Sequence, residues 1–481
     1  MRFSFWALLL AMALPTLPAQ AQQAIPPNTW VRVAPPSALN PGSGGDVHFA
    51  FDPRSERIFN FFGDIYWSDA FANTFGSTGD SYRRTVLAYS VKENRWTVEV
   101  RDDDPQTPAG RCQPGVAYDS GRGVFYVYGG VSSRPPEGHP MGGVFVYEPV
   151  ARQFTRYDVS PAQIASSGDA QRYVAFDATN DRLLLLSLDS SYATGLWAWS
   201  PTTKLWSRVA FVGPRPNLHT DDLDIPVVMA GDKLVFFGEV NGGVSSGTAR
   251  PIETWSFDVR TSSWTQHLGP APSRRLYHRL AYDSKAGRVL MFGGGVSGGL
   301  SNELWAFDPV AGSWAYLDAQ NPPPARKQHG FAYDSVNNLG VAWGTGLSDP
   351  NVYLYRYEPC LPGATVSCVA EGCAAGVRQC LSSGGYGPCV SSGPASGCPD
   401  AGSGFSDAGV LDAGADSGSR EVDPGSDSGL LPPQHPDEPP APGPVETGCG
   451  CRSEGGAPWL LFALLAAARL LTARSSRSAP E

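Results

Sequence analysis

The tripeptide Ala-aromatic-Asp occurs five times in this chain: Ala50-Phe51-Asp52, Ala117-Tyr118-Asp119, Ala175-Phe176-Asp177, Ala281-Tyr282-Asp283 and Ala332-Tyr333-Asp334. Each copy opens the same series of segments. A run rich in β-branched and aromatic residues follows, such as Val124–Tyr128 or Arg288–Phe292, and then glycine. The glycine is a pair at Gly129-Gly130 and Gly293-Gly294, and single at Gly63, Gly238 and Gly344. A third run carries aromatic-x-aromatic, clearest at Trp197-Ala198-Trp199, Trp255-Ser256-Phe257 and Trp305-Ala306-Phe307. A fourth run carries Trp96, Trp206, Trp264 or Trp314, with Phe154 in one copy. Side chains alternate with period two, as half-buried antiparallel strands require. The repeating unit is therefore four short strands in about 50–65 residues, and a repeat of this length governs the whole fold.

A four-stranded repeat of this kind predicts a propeller blade. The glycine pair, the late Trp and the Ala-aromatic-Asp start resemble kelch repeats in particular. The glycines permit a tight backbone turn after the second strand, and the Trp is expected between neighbouring blades. The fourth copy diverges, with Ala230-Gly231-Asp232 as a shorter first turn. Six third strands can be counted, at 86–89, 144–147, 196–199, 254–258, 304–308 and 352–358. The last unit reaches Pro359-Cys360 without a Trp strand, but residues 28–36 match residues 263–270. Trp30–Val33 is thus expected to supply the outer strand of the last blade and to close the ring, which removes exposed sheet edges. The expected fold is all-β: one six-bladed kelch-type β-propeller over residues 27–359, with four antiparallel strands per blade.

Both ends of the chain read as targeting sequence. Residues 1–21 combine Arg2, an apolar run and Ala19-Gln20-Ala21, the pattern of a secretory signal peptide. At the other end Gly448-Cys449-Gly450-Cys451 precedes a hydrophobic segment at 457–473, interrupted by Arg469 and followed by Arg474 and Arg477. That segment is shorter than the roughly 20 apolar residues of a full span. The order of these parts over residues 448–481 resembles the myxobacterial C-terminal sorting signal, MYXO-CTERM. The resemblance implies processing near Cys449 or Cys451 by a sorting protease in the membrane, and retention at the cell surface. A plain membrane anchor is the alternative.

The net charge of −10 is concentrated in one stretch. Residues 399–447 hold ten acidic residues and one Arg among Asp, Gly, Ser and Pro. Such a segment cannot bury enough apolar surface to fold and reads as a disordered spacer. The rest of the chain is near neutral, which argues against a nucleic-acid partner. Cys360, Cys368, Cys373, Cys380, Cys389 and Cys398 sit together at 360–398. An even, closely spaced set in an exported chain reads as three disulfides in a small module, with fifteen possible pairings.

Ligand contacts on such a scaffold are expected on long loops. The second-to-third and fourth-to-first connections carry Tyr66, Trp67, Arg83, Arg84, Arg134, His139, His219, Arg274, Tyr277 and Arg326. These form the expected ligand face, although for Arg274 and Arg326 a role in holding blade junctions is the favoured reading. His278 and His329 occupy equivalent repeat positions and read as hydrogen-bonding residues of the repeat. Two function classes follow: a surface module binding a protein or glycan, or an enzyme. Kelch-type propellers include galactose-oxidase-like copper oxidoreductases, which need Tyr and His ligands and a Cys–Tyr crosslink. Cys112 lies in the propeller, but no convincing His pair accompanies it, and no Ser-x-Asp-x-Gly-x-x-Trp box occurs. The binding module is favoured, with no catalytic residue, metal site or cofactor assigned.

Overall fold

The computed structural model describes residues 25–36, 43–66, 83–111, 113–130, 143–157, 173–188, 193–218, 226–240, 251–345, 349–360, 363–369, 375–380 and 390–391. Among them the chain is all-β, with no helix. The expected signal peptide, acidic spacer and sorting tail and Cys112 lie outside the described residues, as do Cys373, Cys389, Cys398, Cys449 and Cys451.

Six four-stranded antiparallel sheets make up the first compact unit. In chain order the first contains Phe49–Asp52, Arg57–Phe61, Val86–Ser90 and Arg95–Val100. The second contains Gly115–Asp119, Val124–Tyr128, Val144–Glu148 and Gln153–Tyr157. The third contains Tyr173–Asp177, Arg182–Leu188, Thr194–Trp199 and Trp206–Arg208. The divergent fourth contains Val227–Ala230, Lys233–Glu239, Ile252–Asp258 and Ser263–His267, and the fifth Arg279–Asp283, Arg288–Phe292, Leu304–Asp308 and Ser313–Leu317. The sixth draws three strands from Gly330–Asp334, Leu339–Trp343 and Val352–Tyr355, and its fourth is Trp30–Val33. That strand runs antiparallel to the third, with Trp30 opposite Tyr355 and Val33 opposite Val352. The sixth sheet's third strand stops at Tyr355 rather than continuing to 358, because Arg356 next bridges Pro27 in parallel.

The tripeptide acts at the first turn of five of the six sheets. Its Asp is buried and its carboxylate accepts backbone N–H groups two or three residues on, for example from Lys285 at 3.0 Å and Ala286 at 2.9 Å to Asp283. These are Asx turns, which fix the chain reversal locally. Two of the tyrosines also reach the preceding sheet: Tyr118 donates to Asp52, and Tyr333 hydrogen-bonds Asp283.

Apolar side chains divide by parity between the two faces of each sheet. Leu184 and Leu186 join one cluster with the fourth sheet, whereas Leu183 and Leu185 join another with the second. Five of the six clusters draw on two sheets consecutive in the chain, and the other joins the sixth sheet with the first. The fourth-strand aromatic always packs on the sheet before its own. Trp96 meets Trp343 with ring centres 4.7 Å apart, and Trp30 meets Phe292 at 4.8 Å.

The second compact unit includes Val366–Arg378. A short three-stranded sheet of Thr365–Val369, Ala375–Gln379 and Val390–Ser391 follows the six large ones. Of the expected disulfides the structure describes one, Cys360–Cys380, with its Cα atoms 5.7 Å apart and both ends in the first unit.

Candidate functional site

The first strands of all six sheets contribute to one cavity of about 90 Å³. Its lining includes His48, Gly115, Tyr173, Pro226, Arg279 and Phe331, all near the starts of those strands. Arg279 is buried, donating from Nε to the Val47 carbonyl at 3.4 Å and from Nη1 to the His278 carbonyl at 3.2 Å. Arg279 and His48 thus line this space together with Tyr173 and mostly apolar residues.

A residue with positive φ stands two residues before three lining positions, Asp46 at 49°, Gln113 at 52° and Tyr277 at 59°, and Gln328 at 55° stands three before Phe331. None is glycine, so each carries backbone strain that its surroundings must hold. Backbone bonds tie them in sequence: the Gln328 N–H donates to the Tyr277 carbonyl at 3.0 Å, and the Val47 N–H to the Gln328 carbonyl at 3.0 Å. The side chains also converge, since Gln113 and Gln328 donate to the buried carboxylate of Asp46 at 3.3 and 2.8 Å. The result is a fixed polar collar beside the cavity. Strained, over-determined backbone of this kind clusters at functional sites.

The connections expected to carry ligand contacts are brought together in two sheets. Ser43–Gly45, before the first sheet, pairs with Asp64–Tyr66, which follows its second strand. Arg275–Leu276 likewise pairs with Gly295–Val296, which pairs in turn with Gly299–Leu300. Tyr66 is therefore placed by its backbone at a paired edge, while Trp67, Arg134, His139 and His219 lie outside the described residues.

The described arginines are engaged within the protein. Arg326 is fully buried and donates to the carbonyls of Pro324 at 3.0 Å and Gly344 at 3.2 Å, and to Asp349 at 3.1 Å. Burial lowers its pKa, an effect opposed by Asp349 and Tyr353. Burial also pushes Asp349 up, but hydrogen bonds from Tyr353 and Asn351 outweigh it and hold the carboxyl below its ordinary range. The Tyr353 hydroxyl is raised to about 12 by burial and by that same bond. Arg275 repeats the arrangement on the carbonyls of Ser273 and Gly293, and Arg111 on those of Ala109 and Gly129. Arg275, not its neighbour Arg274, is thus the counterpart of Arg326. Arg274 is half exposed and pairs with the buried Glu239 at the end of the fourth sheet's second strand. Arg83 lies 3.5 Å from the buried Asp102, which also accepts the Arg84 backbone N–H at 2.7 Å. Tyr277 remains half-buried beside the collar, with the Lys327 ammonium 5.7 Å from its ring centre.

His278 donates from Nε2 to the Phe237 carbonyl at 3.1 Å. His329 is fully buried against Phe292, and neither of its ring nitrogens has a hydrogen-bond partner. Burial drives its pKa well below 6.5, reinforced by the charges of Arg326 and Arg279, so it is neutral at physiological pH. Among the described residues no three His, Cys, Asp or Glu side chains group as a metal site, and no helix is long and apolar enough to cross a membrane. No family model matches the sequence, and no curated protein matches it significantly.

Proposed function

We propose that this chain is an exported, surface-displayed six-bladed propeller of the kelch type that binds a protein or glycan. The cavity lined by the first strands of all six sheets carries this reading. Six apolar clusters linking each sheet to the next, the last to the first, support a closed ring, as does the pairing of Trp30–Val33 with the sixth sheet. The signal-like start and the MYXO-CTERM-like tail support export and surface retention.

The ligand face is the collar side, where Tyr277 and Lys327 remain partly open while the arginines beside them hold the scaffold. A rigid frame that presents a few polar groups around a concavity suits recognition. The test is a screen of the full chain against glycans and outer-membrane proteins, repeated with Tyr277→Ala and Lys327→Ala. Loss of the captured ligand in both variants, with unchanged melting, is expected. Retention of full binding by both would put the ligand elsewhere. Stoichiometric copper in the pure protein would favour the oxidoreductase instead.

A further inference from the structure

A second polar hollow shares no lining residue with the axial cavity. It lies between the segment that leaves the first sheet and the fourth strand of the second. Asp104, Gln106, Thr107, Arg152, Gln153 and Phe154 enclose about 120 Å³. The walls are held firmly. The Asp104 carboxylate accepts the Gln106 N–H at 2.8 Å, and its carbonyl accepts the Thr107 N–H at 3.2 Å. Arg152 is anchored through Nε, 3.1 Å from the fully buried Glu99, while its own side chain is 58% exposed. The Phe154 ring is fixed against Tyr147 at 4.8 Å and Phe62 at 5.8 Å.

One group in this hollow is anomalous. Thr107 is only 6% exposed, yet its hydroxyl has no hydrogen-bond partner. A buried hydroxyl left unpaired is costly and rare in folded proteins. The charges around it narrow what would satisfy it. An anion at Arg152 would meet Asp104, and a cation at Asp104 would meet Arg152. A neutral polyol suits both, because each hydroxyl can donate to the carboxylate or accept from the guanidinium. The carboxamides of Gln106 and Gln153 offer the same dual chemistry, and Phe154 supplies an apolar wall for a C–H face.

We propose that this hollow is a carbohydrate subsite that takes one hexopyranose unit, free or at the end of a glycan. The sugar hydroxyls bond Asp104, Thr107 and the terminal nitrogens of Arg152, and the ring lies against Phe154. It is separate from the collar face and does not depend on it.

Saturation-transfer NMR on the full chain tests the proposal, with glucose, galactose, mannose and N-acetylglucosamine as probes. At least one should give a saturable signal. Asp104→Asn keeps the turn cap but loses the carboxylate, and Thr107→Val removes only the unpaired hydroxyl. Each should weaken binding by about threefold to tenfold. Melting should be unchanged, or higher for Thr107→Val, so a lost signal would not be a lost fold. The proposal fails if no probe saturates, or if both variants bind as the parent does. It fails equally if Tyr277→Ala abolishes a signal that both variants keep, which would place the sugar at the collar.

Discussion

Replacing Trp30 by Ala should destabilise the protein more than the same change at any partly buried counterpart. Trp30 is 1% exposed and lies against Phe292 at 4.8 Å, Tyr355 at 5.0 Å and Phe331 at 6.3 Å. Its indole nitrogen has no partner, so truncation leaves no neighbouring acceptor orphaned. The loss is therefore the transfer and cavity cost of a large aromatic, about 3–5 kcal/mol. Part of the cost reflects position, since Trp30 joins the fifth and sixth sheets from a strand contributed by the other end of the chain. Trp206 holds the equivalent place in the third sheet but is only partly buried. Trp206→Ala should cost roughly 1–2 kcal/mol, in proportion to the area it buries. Urea denaturation of both variants at matched slope gives the comparison directly. The reasoning fails if Trp30→Ala unfolds within about 1 kcal/mol of the parent, the scale of an ordinary substitution, or if Trp206→Ala costs more.

Two further outcomes follow from buried groups. His329 is neutral in the folded state and gains a proton on unfolding below about pH 6.5, so stability should fall by about 1 kcal/mol between pH 6.5 and 5.5. His329→Leu should remove that component and flatten the acid limb of stability measured against pH; an unchanged limb would show that other groups cause it. Cys360→Ser should lower stability by about 3 kcal/mol, the entropy of a loop closed over a separation of 20 residues. A variant that melts like the parent under oxidising conditions would show that the crosslink constrains little.

The sheets were legible because their signal is repeated. Period-two alternation and a recurring tripeptide marked five first strands, and the spacing left only the divergent Val227–Ala230 to be placed by its position. The pairing of Trp30–Val33 was legible for the same reason: a motif missing at one end was present at the other. Arg274 was expected where the structure places Arg275, although a count along the repeat distinguishes them. Arg111, Arg275 and Arg326 each stand eight residues before the turn Asp, and that register outranks the resemblance of two adjacent arginines. The collar was not legible. Its φ values are positive at Asp46, Gln113, Tyr277 and Gln328, and nothing in those residue types announces it. Only neighbouring backbone, such as the Gln328 bond to Tyr277, imposes the conformation. The hollow at Thr107 escaped for a related reason. It joins the segment after one sheet to the edge of the next, and apart from Phe154 none of its residues belongs to a repeated motif.

The pairing of the first strand with the last sheet also sets a timetable. Asn28 and Glu358 bond each other across 330 residues, so the segment made first waits for nearly the whole unit before it finds its partner. Until then Val352–Tyr355 has an open flank, the kind of edge that recruits foreign strands. Contacts this distant in sequence slow folding, because the loop must close before they are rewarded. The reward comes late but secures everything before it: once Trp30 docks, neither terminus of the unit can fray without disturbing the other. A protein built this way is slow to complete and, when complete, slow to come apart from its ends.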